Sequence, residues 1–157
     1  MKVYELRRET VIPRPVNEIF DWFSDAGNLE TLTPDFLHFK IRTPRPIVMK
    51  PGAQIEYSIR VRGIPVRWKT TIETWDEPRS FTDTQTQGPY SLWHHTHRFR
   101  EHDGGTWMED VVKYALPFGI LGQFAHWLMV RRDVETIFDY RATKIGELFG
   151  TRPTAAR

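Results

Sequence analysis

The amino-acid sequence predicts an α+β fold in which an antiparallel sheet carries its helices on one face. Three observations lead there. The elements read in order as one strand, two short helices, six strands and one long helix. The strands follow one another through tight turns, and consecutive hairpins make a sheet antiparallel. The stretch from Ser91 to Leu116 reads as two strands joined at Asp103-Gly104, a dipeptide that two-residue hairpins favour.

Residues 2 to 12 alternate, with Tyr4, Leu6, Arg8, Thr10 and Ile12 on one parity and Val3, Glu5, Arg7, Glu9 and Val11 on the other. This is a strand with one wetter face. The prolines at 13 and 15 stop it, because proline cannot donate to a ladder, and Pro15 suits the first turn of a helix. Val16, Ile19, Phe20 and Phe23 recur at helical spacing, and Asp25 to Asn28 breaks that helix. A second short helix is expected from Leu29 to Thr33, then a short strand from Leu37 to Arg42. The loop from Thr43 to Gly52 carries three prolines and a glycine and belongs at the surface.

Gln54 to Val61 pairs with Ile64 to Trp75 across Arg62-Gly63, so Ile59 faces Val66 and Tyr57 faces Trp68. The turn Asp76 to Arg79 leads into Ser80 to Gln87. The natural register there sets Thr74 against Phe81, Ile72 against Asp83 and Thr70 against Gln85. Gly88-Pro89 turns the chain into the last hairpin, and Pro117-Phe118-Gly119 ends the sheet. Residues 121 to 149 read as one helix with Phe124, Leu128, Val134, Phe138, Ile145 and Phe149 along an apolar stripe. Gly150 can end it. Residues 1 to 150 make one domain, and 151 to 157 a flexible tail.

In the last hairpin the Asp103-Gly104 turn sets Trp93 opposite Tyr114, His95 opposite Val112, His97 opposite Asp110 and Phe99 opposite Met108. On the other face Arg98 meets Glu109. One register therefore sorts an aromatic and apolar row with three ionisable groups onto the inner side. A solid core rarely accepts His95, His97 and Asp110 so close together, so this face is expected to line a cavity. Asp83 and Gln85 share that face with Phe81 and would give the pocket a polar end. Asp83 is available either to a ligand or to a helix arginine, Arg141 or Arg131. Tyr57, Trp68, Trp93, Phe99 and Tyr114 supply the aromatic lining.

The pair His97 and Asp110 fits three roles: a satisfied pair that fixes register, a ligand hydrogen-bonding group, or a proton-transfer couple. No activated hydroxyl lies beside it, so no triad is built on it. His95-x-His97 with Asp110 has the composition of a metal site, but a metal is not expected.

Composition narrows the function classes. Across 157 residues there are 22 basic and 20 acidic side chains, a net charge of +2 with no basic stripe, so nucleic-acid binding is not expected. The lack of cysteine excludes disulfides, thiolate nucleophiles and cysteine metal sites, and fits a reducing cytoplasm. The first residues lack a signal-peptide core, and no run approaches the ~20 apolar residues that a membrane span needs. Six Trp, ten Phe and five Tyr exceed what a small core requires.

Element order and residues together resemble the START-like superfamily with the Bet v 1 type helix-grip fold, also called SRPBCC, which includes polyketide cyclases and lipid-transfer proteins. The specific part is FTDTQTQGPYSLWHHTHRF followed by GTWMEDVVKYALPFG. It is similar to a bacterial pattern F-x-D-x-Q, G-P-Y, W-x-H-x-H-x-F and G-T-x-M-x-D-x-V-x-Y-x-x-P-x-G. The resemblance implies a curved sheet of about seven strands gripping the long C-terminal helix, with a largely apolar cavity between them. It implies binding of a hydrophobic or aromatic small molecule or lipid, with transport as one use of that binding. The expected apolar contacts are Tyr57, Trp68, Phe81, Trp93, Phe99, Met108, Tyr114, Phe124 and Leu128. Asp83, Gln85, His95, His97 and Asp110 are the expected polar contacts. The alternative is a polyketide cyclase- or dehydratase-like enzyme that needs no cofactor and uses His97 and Asp110 for proton transfer. Neither reading implies a metal, a nucleic acid or stable membrane insertion.

Overall fold

A computed structural model describes residues 1–151, so most of the expected 151–157 tail lies outside the described residues. The strands are β1 (Tyr4–Ile12), β2 (Lys40–Ile41), β3 (Gln54–Val61), β4 (Ile64–Asp76), β5 (Ser80–Gln87), β6 (Leu92–His102) and β7 (Gly105–Ala115). They form one antiparallel sheet in the order β1-β7-β6-β5-β4-β3-β2. Helix α1 (Val16–Phe23) follows β1. Helices α2 (Gly119–Ala125) and α3 (Arg131–Phe149) form one helical run, joined by a wider π-type turn over His126–Val130.

The two-residue turns set the register as expected. Asp103 and Gly104 both have positive φ, as do Arg62 and Gly63, the geometry whose twist matches paired strands. Trp93 pairs with Tyr114, His95 with Val112 and His97 with Asp110, while Tyr57 pairs with Trp68. The longer β4–β5 turn is less regular. Ile72 pairs with Asp83 and Thr70 with Gln85, but Thr74 pairs with Thr82 and Trp75 with Phe81. An irregularity between Ile72 and Thr74 moves Phe81 off the expected Thr74.

Three further elements differ from expectation. The expected Leu29–Thr33 helix is absent; two single 3₁₀ turns, Ala26–Leu29 and Asp35–Leu37, flank that segment instead. Asp25 caps the first by accepting from the Gly27 amide at 2.8 Å, which starts the turn three residues early. The strand after them shrinks to Lys40–Ile41, because His38 takes a left-handed conformation (φ 48°) that ends the preceding turn. The helical stripe does not run through Phe124 and Leu128, which are exposed. The π-type turn rotates residues before it out of phase with those after it, and α2 packs by a different face.

The core divides into three clusters around a cavity, one of them Leu37, Ile59 and Trp68. At one end α1 inserts Ile19, Phe20 and Phe23 against Phe81, Phe99 and Met108, with Ile145 of α3 completing the cluster. Phe20 meets Trp75, Phe81 and Phe99 edge-on, the arrangement that aromatic quadrupoles favour. At the other end Val112 and Tyr114 of β7 pack on Val134 and Phe138 of α3. Arg8 of β1 reaches α3 through Asp139 at 3.0 Å. No helix among the described residues is long and apolar enough to cross a membrane.

The β1–β7 closure depends on Gly105. A Cβ there would lie 2.4 Å from the Ile12 carbonyl oxygen, so the two strands approach only because the side chain is missing. Gly105→Ala is expected to destabilise the fold by about 1–3 kcal/mol. Urea unfolding should show a lower midpoint with an unchanged slope.

Candidate functional site

Between the sheet and α3 lies a cavity of about 600 Å³. Its walls come from alternate residues of four strands: Ile55, Tyr57 and Ile59 from β3, Trp68, Thr70 and Ile72 from β4, Phe81 and Asp83 from β5, and Trp93, His95 and His97 from β6. The period of two on a strand places each set on one face. Val130, Ile137, Phe138 and Arg141 form the helical wall, and the segment from Ala26 to Phe39 closes one side. Trp68 stands edge-on to Trp93 and Tyr90 and stacks with Tyr57, so the aromatic wall is self-supporting. At the rim Arg62 of the β3–β4 turn donates Nη2 to both carboxylate oxygens of Asp133 on α3, at 2.9 and 3.0 Å. This exposed pair ties the hairpin tip to the helix across the cavity edge.

The floor is a buried charged network. His97 Nε2 donates to Asp83 Oδ2 at 2.7 Å, and His95 Nε2 donates to Asp110 Oδ1 at 2.9 Å. Arg141 Nη2 donates to the same Asp110 oxygen at 3.2 Å, bringing α3 onto β7. His97 Nδ1 lies 3.2 Å from Asp110 Oδ1 but without hydrogen-bond geometry, so charge alone acts there. Both imidazoles thus sit between two carboxylates, with Asp110 behind them and Asp83 facing the cavity.

The environments set the charges. Burial pushes the Asp110 carboxyl up, but the Arg141 charge and the two histidines outweigh it and hold the group well below the usual range. Burial also opposes Asp83 ionisation, but the hydrogen bond from His97 together with the charges of His95, His97 and Arg141 outweighs it, so its pKa is lowered too. His95 is lowered by burial and by its neighbour His97. Burial would lower His97 as well, yet the flanking Asp110 and Asp83 carboxylates raise it. These directions favour Asp83 and Asp110 as carboxylates, and His97 over His95 as the protonated imidazole beside the Arg141 guanidinium. Two negative and two positive charges then balance inside a low-dielectric site.

Tyr57, Trp68, Phe81, Asp83, Trp93, His95 and His97 line the cavity. The structure places the other candidates elsewhere. Asp110 lies behind the histidines, and its bonded partner is His95, not the facing His97. Gln85 holds Tyr90 instead of a ligand: its Nε2 donates to the Tyr90 carbonyl at 2.7 Å, and its Oε1 accepts from the Tyr90 amide at 3.1 Å. Phe99 and Met108 are consumed by the α1 cluster, which fills that end of the barrel-like space. The Tyr114 hydroxyl is taken by His126 Nε2 at 2.8 Å. Phe124 and Leu128 face outward. Arg131 pairs with Glu135, so of the two helix arginines it is Arg141 that reaches the site, and it binds Asp110, not Asp83. Tyr90, Ile137 and Phe138 also line the cavity; in sequence Tyr90 belongs to the G-P-Y motif and Phe138 to the apolar stripe, but none of the three was expected as a ligand contact.

Asp83, His95 and His97 each offer one ligand atom, all within 4.8 Å of one another, so this trio and not the His95–His97–Asp110 set is the group able to surround a cation.

The sequence profile of the family described as polyketide cyclase / dehydrase and lipid transport matches residues 4–149. Among solved structures, TTHA0849 from Thermus thermophilus superposes with a TM-score of 0.67 at 18% identity, covering 90% of this chain and 97% of that one. The Zhui aromatase/cyclase from Streptomyces sp. R1128 gives 0.71 at 13% identity, covering 93% of each chain. Ara h 8.0201 gives 0.61 at 15% identity, covering 93% of this chain and 99% of that one. These likenesses show the helix-grip fold. No curated protein matches the sequence as a relative.

The network makes a two-sided pH prediction. Asp83 and Asp110 are held below the unfolded value of 3.8, so the stability they contribute is present at neutral pH and lost as pH falls through their folded values. His97 is raised above 6.5, so its contribution is full below that value and lost as pH rises through the folded one. Asp110→Asn leaves Arg141 buried without its counter-charge and should cost about 3–5 kcal/mol. Chemical denaturation across pH should show this loss at neutral pH and a shallower acid limb.

Proposed function

Since the chain belongs to the polyketide cyclase / dehydrase and lipid transport family, we propose that it binds an apolar small molecule, aromatic or lipid, in the cavity between sheet and α3. The observation that carries this reading is the pairing of aromatic walls with a single polar floor. The walls gain from contact with an apolar body, while Asp83 and the buried histidines gather hydrogen-bonding groups at the floor, away from the Arg62–Asp133 pair at the rim. A ligand with one polar end would therefore enter with that end toward Asp83 and His97, and its apolar body against Trp68, Trp93 and Ile59. The absence of cysteine suits work in a reducing cytoplasm.

A second reading has one specific observation in its favour. His97, whose pKa the flanking carboxylates raise, donates Nε2 to Asp83 at the cavity floor, so a proton can pass from His97 through Asp83 to a bound carbonyl oxygen, leaving His97 neutral. Such a transfer activates a carbonyl for the carbon–carbon bond formation of a cyclisation, and it uses His97 with Asp83 where the sequence suggested His97 with Asp110.

Two measurements test these readings. Native mass spectrometry of freshly purified protein, with extraction of any retained compound, names the ligand class. Fluorescence titration with the neutral apolar probe N-phenyl-1-naphthylamine measures the cavity. Ile59→Trp fills the space from β3 and should weaken probe binding by about tenfold or more, equivalent to ~1.4 kcal/mol, without loss of fold. Unchanged binding in that variant would remove the cavity as the site. If an extracted compound is turned over, His97→Ala should retain binding and lose turnover.

A further inference from the structure

Helix α2 and the π-type turn after it are amphipathic in the opposite sense to a helix that covers a core. The small and polar side chains face in. Gly122 is buried, and a Cβ there would lie 2.1 Å from the Pro117 carbonyl oxygen, so this helix can rest on the chain only through glycine. His126 is buried, stacked on Tyr4 with ring centroids 3.4 Å apart and bonded to the Tyr114 hydroxyl. The large apolar side chains face out. Phe118, Ile120, Leu121, Phe124, Trp127 and Leu128 are between 57% and 83% exposed. The last five stand at the i, i+1, i+4, i+7, i+8 spacing that defines one helical face.

Nothing in the described chain covers this face, although the opposite face is fixed by specific contacts. A patch of this kind signals an interaction site more often than incidental exposure. The charges around it select the partner. No acidic residue occurs from Phe118 to Arg132. Lys2 lines a small pocket together with Gly119 and Gln123 of α2, and Arg131 and Arg132 follow the apolar face directly. Arg62 stands at the neighbouring cavity rim. Against these four cations stand the two carboxylates Asp133 and Glu135, which pair with Arg62 and Arg131. The result is an aromatic-rich apolar face with a net positive border, the pattern of helices that lie in a membrane interface beside anionic headgroups. The patch is also continuous with the cavity: Leu116 and Val130, which flank it in the chain, both line the cavity wall.

We propose that the Phe118–Leu128 face docks on an anionic phospholipid surface, bringing the cavity mouth to the bilayer. Docking is peripheral, since the helix is far too short to span. It deepens the proposed function by placing the reservoir of the apolar ligand at the lipid surface, and it rests on that reading for its purpose but not for its geometry.

The test is flotation of the full chain with vesicles of phosphatidylcholine alone and of phosphatidylcholine with one quarter phosphatidylglycerol. The wild type should float with the anionic vesicles, less so at high salt, with its tryptophan emission shifted to the blue. The double variant Leu121→Ser/Trp127→Ser should lower vesicle partitioning by about tenfold or more. Its circular dichroism and its binding of N-phenyl-1-naphthylamine in vesicle-free solution should stay unchanged. Wild type that stays in the aqueous phase with both vesicles while still binding the probe overturns docking and leaves the cavity reading intact. Loss of probe binding in the wild type would overturn the cavity reading alone. A dimer seen by sedimentation equilibrium and abolished by the double variant would assign the face to a second copy of the chain and overturn the proposal.

Discussion

The structure depends on how two carboxylates are held inside an apolar fold. Asp83 on β5 and Asp110 on β7 lie on either side of the histidines of β6, and neither could stay ionised there alone. Arg141 and His97 supply the opposing charges, and His95 donates a further hydrogen bond to Asp110. The arrangement has a geometric consequence. Arg141 fixes the middle of α3 to the sheet through one long side chain, whereas apolar packing holds the helix near its ends. The Arg141–Asp110 bond thus ties α3 to β7 at the cavity floor.

The same economy recurs around the cavity. The aromatic wall of Tyr57, Trp68, Tyr90 and Trp93 is braced by ring contacts and by Gln85, which clamps both backbone groups of Tyr90. Hydrogen bonds between Tyr57, Trp68 and Thr70 satisfy the polar tips of the wall from within. The space is therefore maintained by side chains that have already met their own needs, leaving Asp83 as the carboxylate that faces inward. Beside the wall residues Leu116 and Val130 the ordering is reversed: α2 is anchored by glycine and histidine and turns its aromatic residues outward. Floor, wall and this outer face thus differ in the chemistry they expose, which gives a bound molecule a direction.

Most of the sheet was legible in the sequence because its turns are chemically unambiguous. Asp103-Gly104 and Arg62-Gly63 each admit one short hairpin, and the period of two then carries the register along both strands. The Asp76–Arg79 turn has no such constraint, and there the expected register failed beyond Ile72. The site was legible as a set of residues but not as a set of bonds. His97 and Asp110 do face each other, yet strand pairing reports backbone positions, and the imidazole swings to Asp83 on the other neighbouring strand. Arg141 stood in sequence as one of two helix arginines; only the helix position over β7 selects it. Phe124 and Leu128 misled because spacing along a helix shows that a face is apolar, not that the chain itself covers it.

The protonation of the two buried histidines, read from imidazole nitrogen chemical shifts in long-range ¹H–¹⁵N NMR spectra at neutral pH, is the most direct test of the balanced floor. Charge balance requires His97 with both ring nitrogens protonated and His95 neutral, its proton on Nε2. A neutral His97 would leave two buried carboxylates facing the single charge of Arg141 and would contradict the balanced network on which the cavity floor is built.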